Sequence, residues 1–457
     1  MLYHLTPGFW GVISAIVAGF LGYLQAPSLA VFICATIAGL LFLNDPFKFL
    51  LYIFASFILL MPIEKLPAVF LYWAIVHVID PIVLLFIIVY FFNFKKSPFE
   101  FHLSVFPALI AFMVFLGYQF LLFFKAPTHM GRLYGIFELR EYAYALLTFF
   151  IILRSNIRHK RMIQILFFII VLASIGGALN SAGFYYRHLI LGLTRIESRQ
   201  LIHLSFFFSQ CFLICIIGLT YFKNKKVRIF LGISGAMLGL SMLIDQTRGM
   251  WIGTAVALLV YISMMTSNKL KLIRKAAWLL PMLVCAVFIA KVTIGIDVLG
   301  IITQRFGDLQ PTELINPFTS MGYRVYESLM VLQQTSVFGH GFKAPLHLYL
   351  PFFNKTDDWY GIHDQYLDIL YNTGVVGLIL FFIFAGLYLV SAYRLSKDPN
   401  SNRAFWGKFI FLSFINTLMI SITSGFFNRF SSCLFLGYTL AALVVFSRYA
   451  KKRSAVG

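Results

Sequence analysis

The sequence predicts an all-α integral membrane protein with about 12 to 14 transmembrane helices and one larger extracytoplasmic loop. Three observations support this fold class. The 457 residues are 60% hydrophobic and only 12% charged, which is outside the range of soluble domains. Many windows stay apolar for about 17 to 25 residues, the length of a helix that crosses the hydrocarbon core. The alternating pattern of a membrane β-barrel is absent from the sequence, so helices are the remaining spanning structure.

The apolar windows give the order of the spans along the chain. We predict spans near residues 8–24, 28–43, 47–63, 79–93, 102–124, 141–153, 162–182, 201–222, 227–244, 250–266, 273–293, 373–393, 405–424 and 430–448. The window 141–153 is short unless Glu138, Arg140 and Glu141 lie at an interface, and residues 66–78 are compatible with a re-entrant segment. Three regions follow: N-terminal helices with short outside turns (1–293), a large extracytoplasmic loop with short helices (294–372) and C-terminal helices (373–457).

Basic residues set the predicted orientation. The net charge of +20 comes from short clusters between apolar runs, which favours a membrane protein and argues against a nucleic-acid partner. The clusters fall in alternate loops, within residues 95–96, 154–161, 223–228, 269–275, 394–403 and 451–453. Because basic loops stay in the cytoplasm, we expect both termini inside and the large loop facing the periplasm or the cell exterior.

The sequence offers no sign of a metal or a cofactor. The five cysteines all lie in apolar runs without metal-type spacing, so we predict neither a disulfide nor a zinc site. A Gly-rich nucleotide loop and a serine-nucleophile elbow are also absent from the sequence. We therefore expect any reaction to be metal-independent and not driven by cytoplasmic ATP.

The predicted outside segments carry arginines that the positive-inside rule disfavours. They are Arg132, Arg187, Arg195, Arg199, Arg248 and Arg324. An extracytoplasmic anion would compensate them, since a guanidinium fork binds phosphate bidentately and stays charged. The alternative is that these arginines pair with Glu138, Glu141, Glu197 or Asp245, or reach lipid headgroups.

A tight polar turn joins two apolar windows at residues 245–251, Asp-Gln-Thr-Arg-Gly-Met-Trp. Arg248 lies at the start of the second predicted helix, where free backbone N–H groups and the helix dipole favour an anion. The turn is therefore a candidate phosphate cradle. The alternative is a helix–helix turn with an Arg248–Asp245 pair and Gly249 for close packing.

His363 opens the helix that returns the large loop to the membrane. His363, Tyr366, Leu367 and Leu370 share a helical face, which places the imidazole at the membrane surface. A neutral imidazole there is a candidate general base, and Asp364 or Asp368 would orient it. A structural histidine is the alternative. Gly339-His340-Gly341 reads as a turn, so His340 and also His347 are weaker candidates.

These motifs resemble the O-antigen ligase and O-antigen polymerase superfamily of membrane glycosyltransferases. His363, Gly374 and Gly377 match the family's His, a Gly eleven positions later and a small residue three further on, although Asp364 replaces the usual amide or hydroxyl. Residues 247–251 are similar to its Ser-Arg-Gly-x-Trp turn, and 324–342 to its Arg-helix-Pro-Leu-x-Gly-x-Gly segment. Residues 194–199 lie where the family has Arg-Gly-Phe and Asn-Pro-Asn, but that tripeptide is missing. The resemblance covers about the last 270 residues.

The resemblance implies a GT-C-like helical fold in the bacterial inner membrane and a polyprenyl-diphosphate-linked glycan as donor. His363 would assist the acceptor, a glycan or a lipid A core-type molecule, and Arg248 would hold the diphosphate. Candidate substrate-binding residues are Arg195, Arg199, Arg324, Asp364 and Tyr366. The choice between Arg195 and Arg199 stays open, as does the choice between polymerase and ligase, with a slight preference for polymerase. Phe- and Leu-rich helix faces would contact membrane lipids and line the path of the carrier lipid.

Two other functions remain open from the sequence. A transporter or flippase for lipid-linked oligosaccharides would use polar groups near the midplane and internal repeats, and the sequence shows no convincing repeat. A membrane scaffold would tolerate loss of the outside arginines.

Overall fold

The computed structural model describes part of the chain. The described residues are 42, 45–56, 68–71, 74–77, 83–85, 87–88, 107–126, 128–155, 159–185, 202–245, 248–264, 288, 300, 316–350, 355–359, 361–425 and 430–454. The predicted spans at 8–24, 28–43 and 273–293 therefore lie outside them, apart from single residues, and 79–93 is described only in fragments.

Helices dominate the described part of the chain. They are α1 Pro46–Ala55, α2 Pro107–Phe123, α3 His129–Arg154, α4 His159–Tyr185, α5 Ile202–Tyr221, α6 Lys225–Asp245, α7 Arg248–Met264, α8 Ser320–Gln333, α9 Gln365–Ser396, α10 Ser401–Ser421 and α11 Phe430–Ser454. Within α4, α6, α9 and α10, four segments are long and apolar enough to cross a membrane. The predicted all-α membrane fold is confirmed.

Two helices begin two or more turns earlier than the hydropathy windows predict. Helix α3 starts at His129 instead of residue 141, since its polar first half is helical and buries Glu138 and Glu141 inside the protein. Helix α9 starts at Gln365 instead of residue 373, although non-helical backbone at Gly374 divides it. A window that penalises charge cannot detect helical turns whose charges are paired elsewhere in the fold.

The described strands form two antiparallel hairpins. Strands β1 (Ala68–Leu71) and β2 (Ala74–His77) pair within the segment for which a re-entrant structure was considered. Strands β3 (Leu346–Leu350) and β4 (Lys355–Trp359) pair within the large loop, in the register Leu346 opposite Trp359. Short helices were predicted in this loop, and α8 is a helix within it. The hairpin was not predicted.

Packing defines the two ends of the bundle. Helix α9 packs between α2 and α10, α7 packs on α10, and α11 packs on α3. We call the end where α7, α9 and α11 begin and α10 ends the site end. The other end, where α4, α6 and α10 begin, carries the predicted cytoplasmic clusters and is called the basic end. Trp406 is fully buried near the basic end, where its indole Nε1 donates to His159 Nδ1 over 3.1 Å.

Candidate functional site

Helix α8 supplies the first half of the candidate site. Thr319 caps it by accepting a hydrogen bond from the Gly322 backbone N–H over 3.1 Å. Tyr323 and Glu327 lie one turn apart on the same face, and both are buried. A buried carboxylate requires a polar partner. Glu327 has that partner in the segment that leads into α9.

Glu327 binds His363 at two points. The His363 backbone N–H donates to Glu327 Oε2 over 3.0 Å, and the ring Nδ1 lies 3.1 Å from the same oxygen and 3.2 Å from Oε1. The Glu327 side chain is only 2% exposed, whereas that of His363 is 38% exposed. The carboxylate of this pair is therefore buried inside the protein, whereas the imidazole remains accessible.

The carboxylate determines which ring nitrogen carries the proton. An ionised carboxylate only accepts hydrogen bonds, so Nδ1 must be the protonated nitrogen of neutral His363. Nε2 is then the basic nitrogen. A carboxylate at Nδ1 also stabilises the imidazolium that forms when Nε2 takes a proton. This arrangement suits a general base better than an imidazole alone does.

Aromatic rings fix the plane of the His363 imidazole. The Trp359 indole, at the end of β4, stacks on it at an interplanar angle of 18° with 6.1 Å between ring centroids. The Tyr323 ring lies nearly perpendicular to the imidazole, at 86° with 6.2 Å between centroids. Burial, with the nearby Glu327 charge, raises the pKa of Tyr323 to about 12, so its phenol stays neutral.

Asp364 and Asp368 do not orient the imidazole, contrary to the sequence-based expectation. Asp364 is the N-cap of α9 and accepts from the Tyr366 and Leu367 backbone N–H groups over 2.8 Å and 3.0 Å. Burial raises the pKa of Asp364 to about 6 despite these hydrogen bonds. Asp368 faces Lys343 instead. The sequence feature that singles out Glu327 is that it is the one carboxylate within Ser320–Gln333.

The predicted arginine turn lies at the same end of the bundle. Arg324 Nη1 donates to the Thr423 carbonyl over 2.8 Å, which ties α8 to the end of α10. A Cβ added to Gly249 would lie 1.8 Å from Thr423 Oγ1, so the start of α7 also abuts this residue. The Trp251 indole donates to the Met242 carbonyl over 2.9 Å and holds α6 to α7. The backbone of Gly249, the residue after Arg248, and the side chain of Arg324 therefore meet around Thr423.

Three predicted substrate-binding residues remain, and the structure describes one of them, Tyr366. The Tyr366 hydroxyl donates to the Leu418 carbonyl over 2.6 Å, and its ring stacks on Phe382, so the structure uses Tyr366 to join α9 to α10. Arg195 and Arg199 lie outside the described residues.

The glycines of the two family motifs contact each other. Gly374 has a φ of +71° and Gly339 a φ of +72°, a backbone conformation that favours glycine. A Cβ on Gly374 would lie 2.2 Å from the Val337 carbonyl oxygen. The break in α9 frees the carbonyls of Tyr371 and Asn372, and these accept from the backbone N–H groups of His340 and Gly341 over 3.1 Å each. The Gly-His-Gly turn, predicted as such, is therefore the backbone partner of the broken helix.

A buried ionic cluster lies beside this junction. Lys343 Nζ is 3.2 Å from Glu138 Oε1 of α3 and 3.0 Å from Asp368 Oδ2 of α9, and all three side chains are nearly inaccessible. Asn372 donates to Asp368 over 2.9 Å. Burial alone would lower the pKa of Lys343, but the two carboxylates outweigh it and raise that pKa above its ordinary value. The cluster fixes the large loop to α3 and α9 at once.

Comparison with known proteins agrees with these motifs. Residues 233–382 match the family model described as O-antigen ligase, a stretch that includes the Arg248 turn, α8, His363 and Gly374. No curated protein matches the chain. The match confirms the resemblance to the O-antigen ligase and polymerase superfamily, and it supports a membrane glycan ligase or polymerase-type role and a glycosyltransferase-like enzyme.

Proposed function

We propose, with the O-antigen ligase match over residues 233–382 as the premise, that this protein transfers or polymerises a polyprenyl-diphosphate-linked glycan on the outer face of the bacterial cytoplasmic membrane. The acceptor is another glycan or a lipid A core-type molecule. The reaction is inverting and metal-independent. The site end faces the periplasm or exterior, since the basic clusters lie at the other end.

The proposed chemistry follows from the charges involved. The acceptor hydroxyl oxygen attacks the anomeric carbon from the side opposite the diphosphate and forms the new glycosidic bond. His363 Nε2 takes the hydroxyl proton, an effect worth about 100-fold to 10,000-fold in rate. The bond to the diphosphate breaks, and its electron pair stays on the leaving oxygen. Arg248 and Arg324, with Arg195 or Arg199, stabilise that charge; one such donor is worth about 100-fold to 1,000-fold.

The observation that carries the proposal is the Glu327–His363 pair. A structural histidine needs no buried carboxylate at Nδ1 together with an accessible ring. A general base needs both, because the carboxylate selects the tautomer and the exposed edge meets the acceptor. The pair also lies at the end of the bundle to which the family's arginine turn belongs.

The test is complementation of a strain that lacks the gene. His363→Ala and Arg248→Ala are each expected to abolish the surface glycan ladder at normal protein level. His347→Ala is the matched control, because this exposed histidine pairs with Asp358 on the β3–β4 hairpin. Unchanged glycan length and amount in the His363→Ala strain would disprove the proposal.

The products distinguish the related functions. Single repeats attached to the acceptor in the deletion strain indicate a lost polymerase, and unattached polymer indicates a lost ligase. Purified protein that moves lipid-linked glycan across vesicles without forming a covalent product would instead establish a transporter.

A further inference from the structure

Helix α8 has two opposite faces. Tyr323, Glu327 and Val331 are buried against the protein. Val325, Leu329 and Leu332 lie on the other side of the helix and are 41%, 54% and 55% exposed. At 100° per residue these three side chains fall within about 60° of one another. The face opposite the candidate base is therefore an exposed apolar stripe on a helix of the large loop.

The stripe continues beyond both ends of α8. Phe318 precedes the helix, Val337 and Phe338 follow it, and each of the three is more than half exposed. An exposed surface made of several neighbouring apolar side chains marks a site of interaction. The apolar helices that adjoin the stripe indicate what kind of partner it contacts.

Hydrogen bonds join the residues that follow α8 to the apolar helices α9 and α2. The Val376 N–H donates to the Val337 carbonyl over 3.3 Å, and the Tyr118 hydroxyl lies 3.4 Å from the Phe338 carbonyl. Val376 belongs to α9 and Tyr118 to α2. The neighbouring exposed residues of these helices are apolar as well, among them Val375, Ile379, Phe120 and Leu121. The apolar surface of α8 is thus continuous with that of a candidate membrane span.

We infer that α8 lies in the extracytoplasmic interface of the membrane with Val325, Leu329 and Leu332 against lipid acyl chains. An interfacial amphipathic helix buries its apolar face about 5 to 10 Å into the headgroup and acyl boundary. Its opposite face then holds Glu327, and the His363 that Glu327 binds, at headgroup depth. This second consequence rests on the proposed function: a polyprenyl diphosphate has its phosphates at that depth and its chain in the hydrocarbon, so donor and base meet without the donor leaving the membrane.

Spin labels measure the lipid contact directly. Leu329→Cys and Leu332→Cys are labelled with a nitroxide in full-length protein reconstituted in phosphatidylethanolamine–phosphatidylglycerol vesicles, in a background without the five native cysteines. Ile383→Cys, on the exposed face of α9, is the lipid reference, and Thr356→Cys, exposed on β4, is the aqueous reference. Both α8 labels are expected to show an oxygen-to-nickel accessibility ratio at least about fivefold above that of Thr356→Cys.

Each other outcome contradicts the inference. Ratios equal to that of Thr356→Cys mean that the stripe faces water. Low accessibility to both reagents means that a second protein surface covers it. If the cysteine-free chain does not fold, a benzophenone amino acid at position 329 of the native chain must crosslink phospholipid while the same group at position 356 does not. These readouts do not depend on catalysis, so an inactive His363→Ala protein and a lipid-exposed α8 are separate results.

Discussion

Each end of the bundle carries a histidine, an arginine and a helix N-cap, but the partners of the histidine and of the arginine differ. At the site end, His363 has a buried carboxylate at Nδ1, Arg324 donates to a backbone carbonyl, and Asp364 caps α9. At the basic end, His159 accepts from the Trp406 indole, Arg403 pairs with Asp398, and Asn400 caps α10. The partner, and not the residue type, separates a candidate catalytic group from a structural one.

The variant with the largest expected effect changes the partner of His363, and its control changes the partner of His159. Glu327→Gln is expected to lower glycan output by about 100-fold to 10,000-fold, because an amide can donate to Nδ1 and select the wrong tautomer. Trp406→Phe is expected to leave output per folded protein within about twofold and to cost about 0.5 to 1.5 kcal/mol of stability for a lost buried hydrogen bond. Glycan gels and thermal unfolding in detergent measure the two effects.

Glu327→Asp provides the internal control for that comparison. It keeps the charge and is expected to restore part of the activity that Glu327→Gln lacks. Equal activity of Glu327→Gln and the wild-type protein would show that the carboxylate has no part in the reaction.

The second comparison concerns the arginines. Arg324→Ala is expected to reduce transfer by about 100-fold to 1,000-fold, the cost of one preorganised donor to a developing charge. Arg324→Lys should recover little, since an ammonium lacks the bidentate fork. Arg403→Ala breaks a peripheral ion pair worth about 0 to 1 kcal/mol and should leave transfer unchanged. The rates are measured with membrane fractions at matched protein level, and a comparable loss in both Ala variants would remove the distinction between the ends.

The third comparison is between two glycines of α9. Gly374→Ala is expected to destabilise the protein by about 2 to 4 kcal/mol, because φ is positive and the added Cβ meets the Val337 carbonyl. Gly386 has open space around its missing Cβ, so Gly386→Ala is expected to be neutral or stabilising by up to about 1 kcal/mol. Thermal unfolding compares them. A Gly374→Ala protein of wild-type stability would mean that the helix break is not required.

The smallest expected effect concerns the two helix caps. The pKa of Asp364 is raised from 3.8 to about 6, so the folded protein binds a proton at Asp364 more tightly than the unfolded chain does. Proton binding at Asp364 therefore stabilises the fold fully below pH 4, and this contribution is lost as the pH rises through 6. Asp364→Asn cannot ionise and caps equally well. It is therefore expected to exceed wild-type stability at pH 7.5 by about 1 to 3 kcal/mol and to equal it near pH 4. Asn400→Asp, at an exposed cap, should show no such crossover in denaturation between pH 4 and 8.

The sequence predicted the parts of the site that depend on local pattern. The spans around α4, α6 and α10 followed from hydropathy, and the His363–Gly374 spacing followed from the family resemblance. Glu327 as the partner of His363 could not be predicted, because the contact depends on how α8 folds back onto the start of α9. The Gly339–Gly374 contact and the Lys343 cluster likewise join segments distant in sequence. Hydropathy counts charges but does not show which ones pair.

The Lys343 cluster has a consequence for biogenesis. Glu138 is synthesised early, whereas its counter-ion Lys343 emerges from the ribosome only after α7 and much of the large loop. In the proposed orientation, the outer half of α3 holds a carboxylate without its lysine until the loop is translocated, and the cost of burying that charge opposes its packing. We therefore expect the outer half of α3 to become protease-resistant only once nascent chains extend past residue 343. Protease resistance of this half of α3 would then indicate that the large loop has been translocated across the membrane.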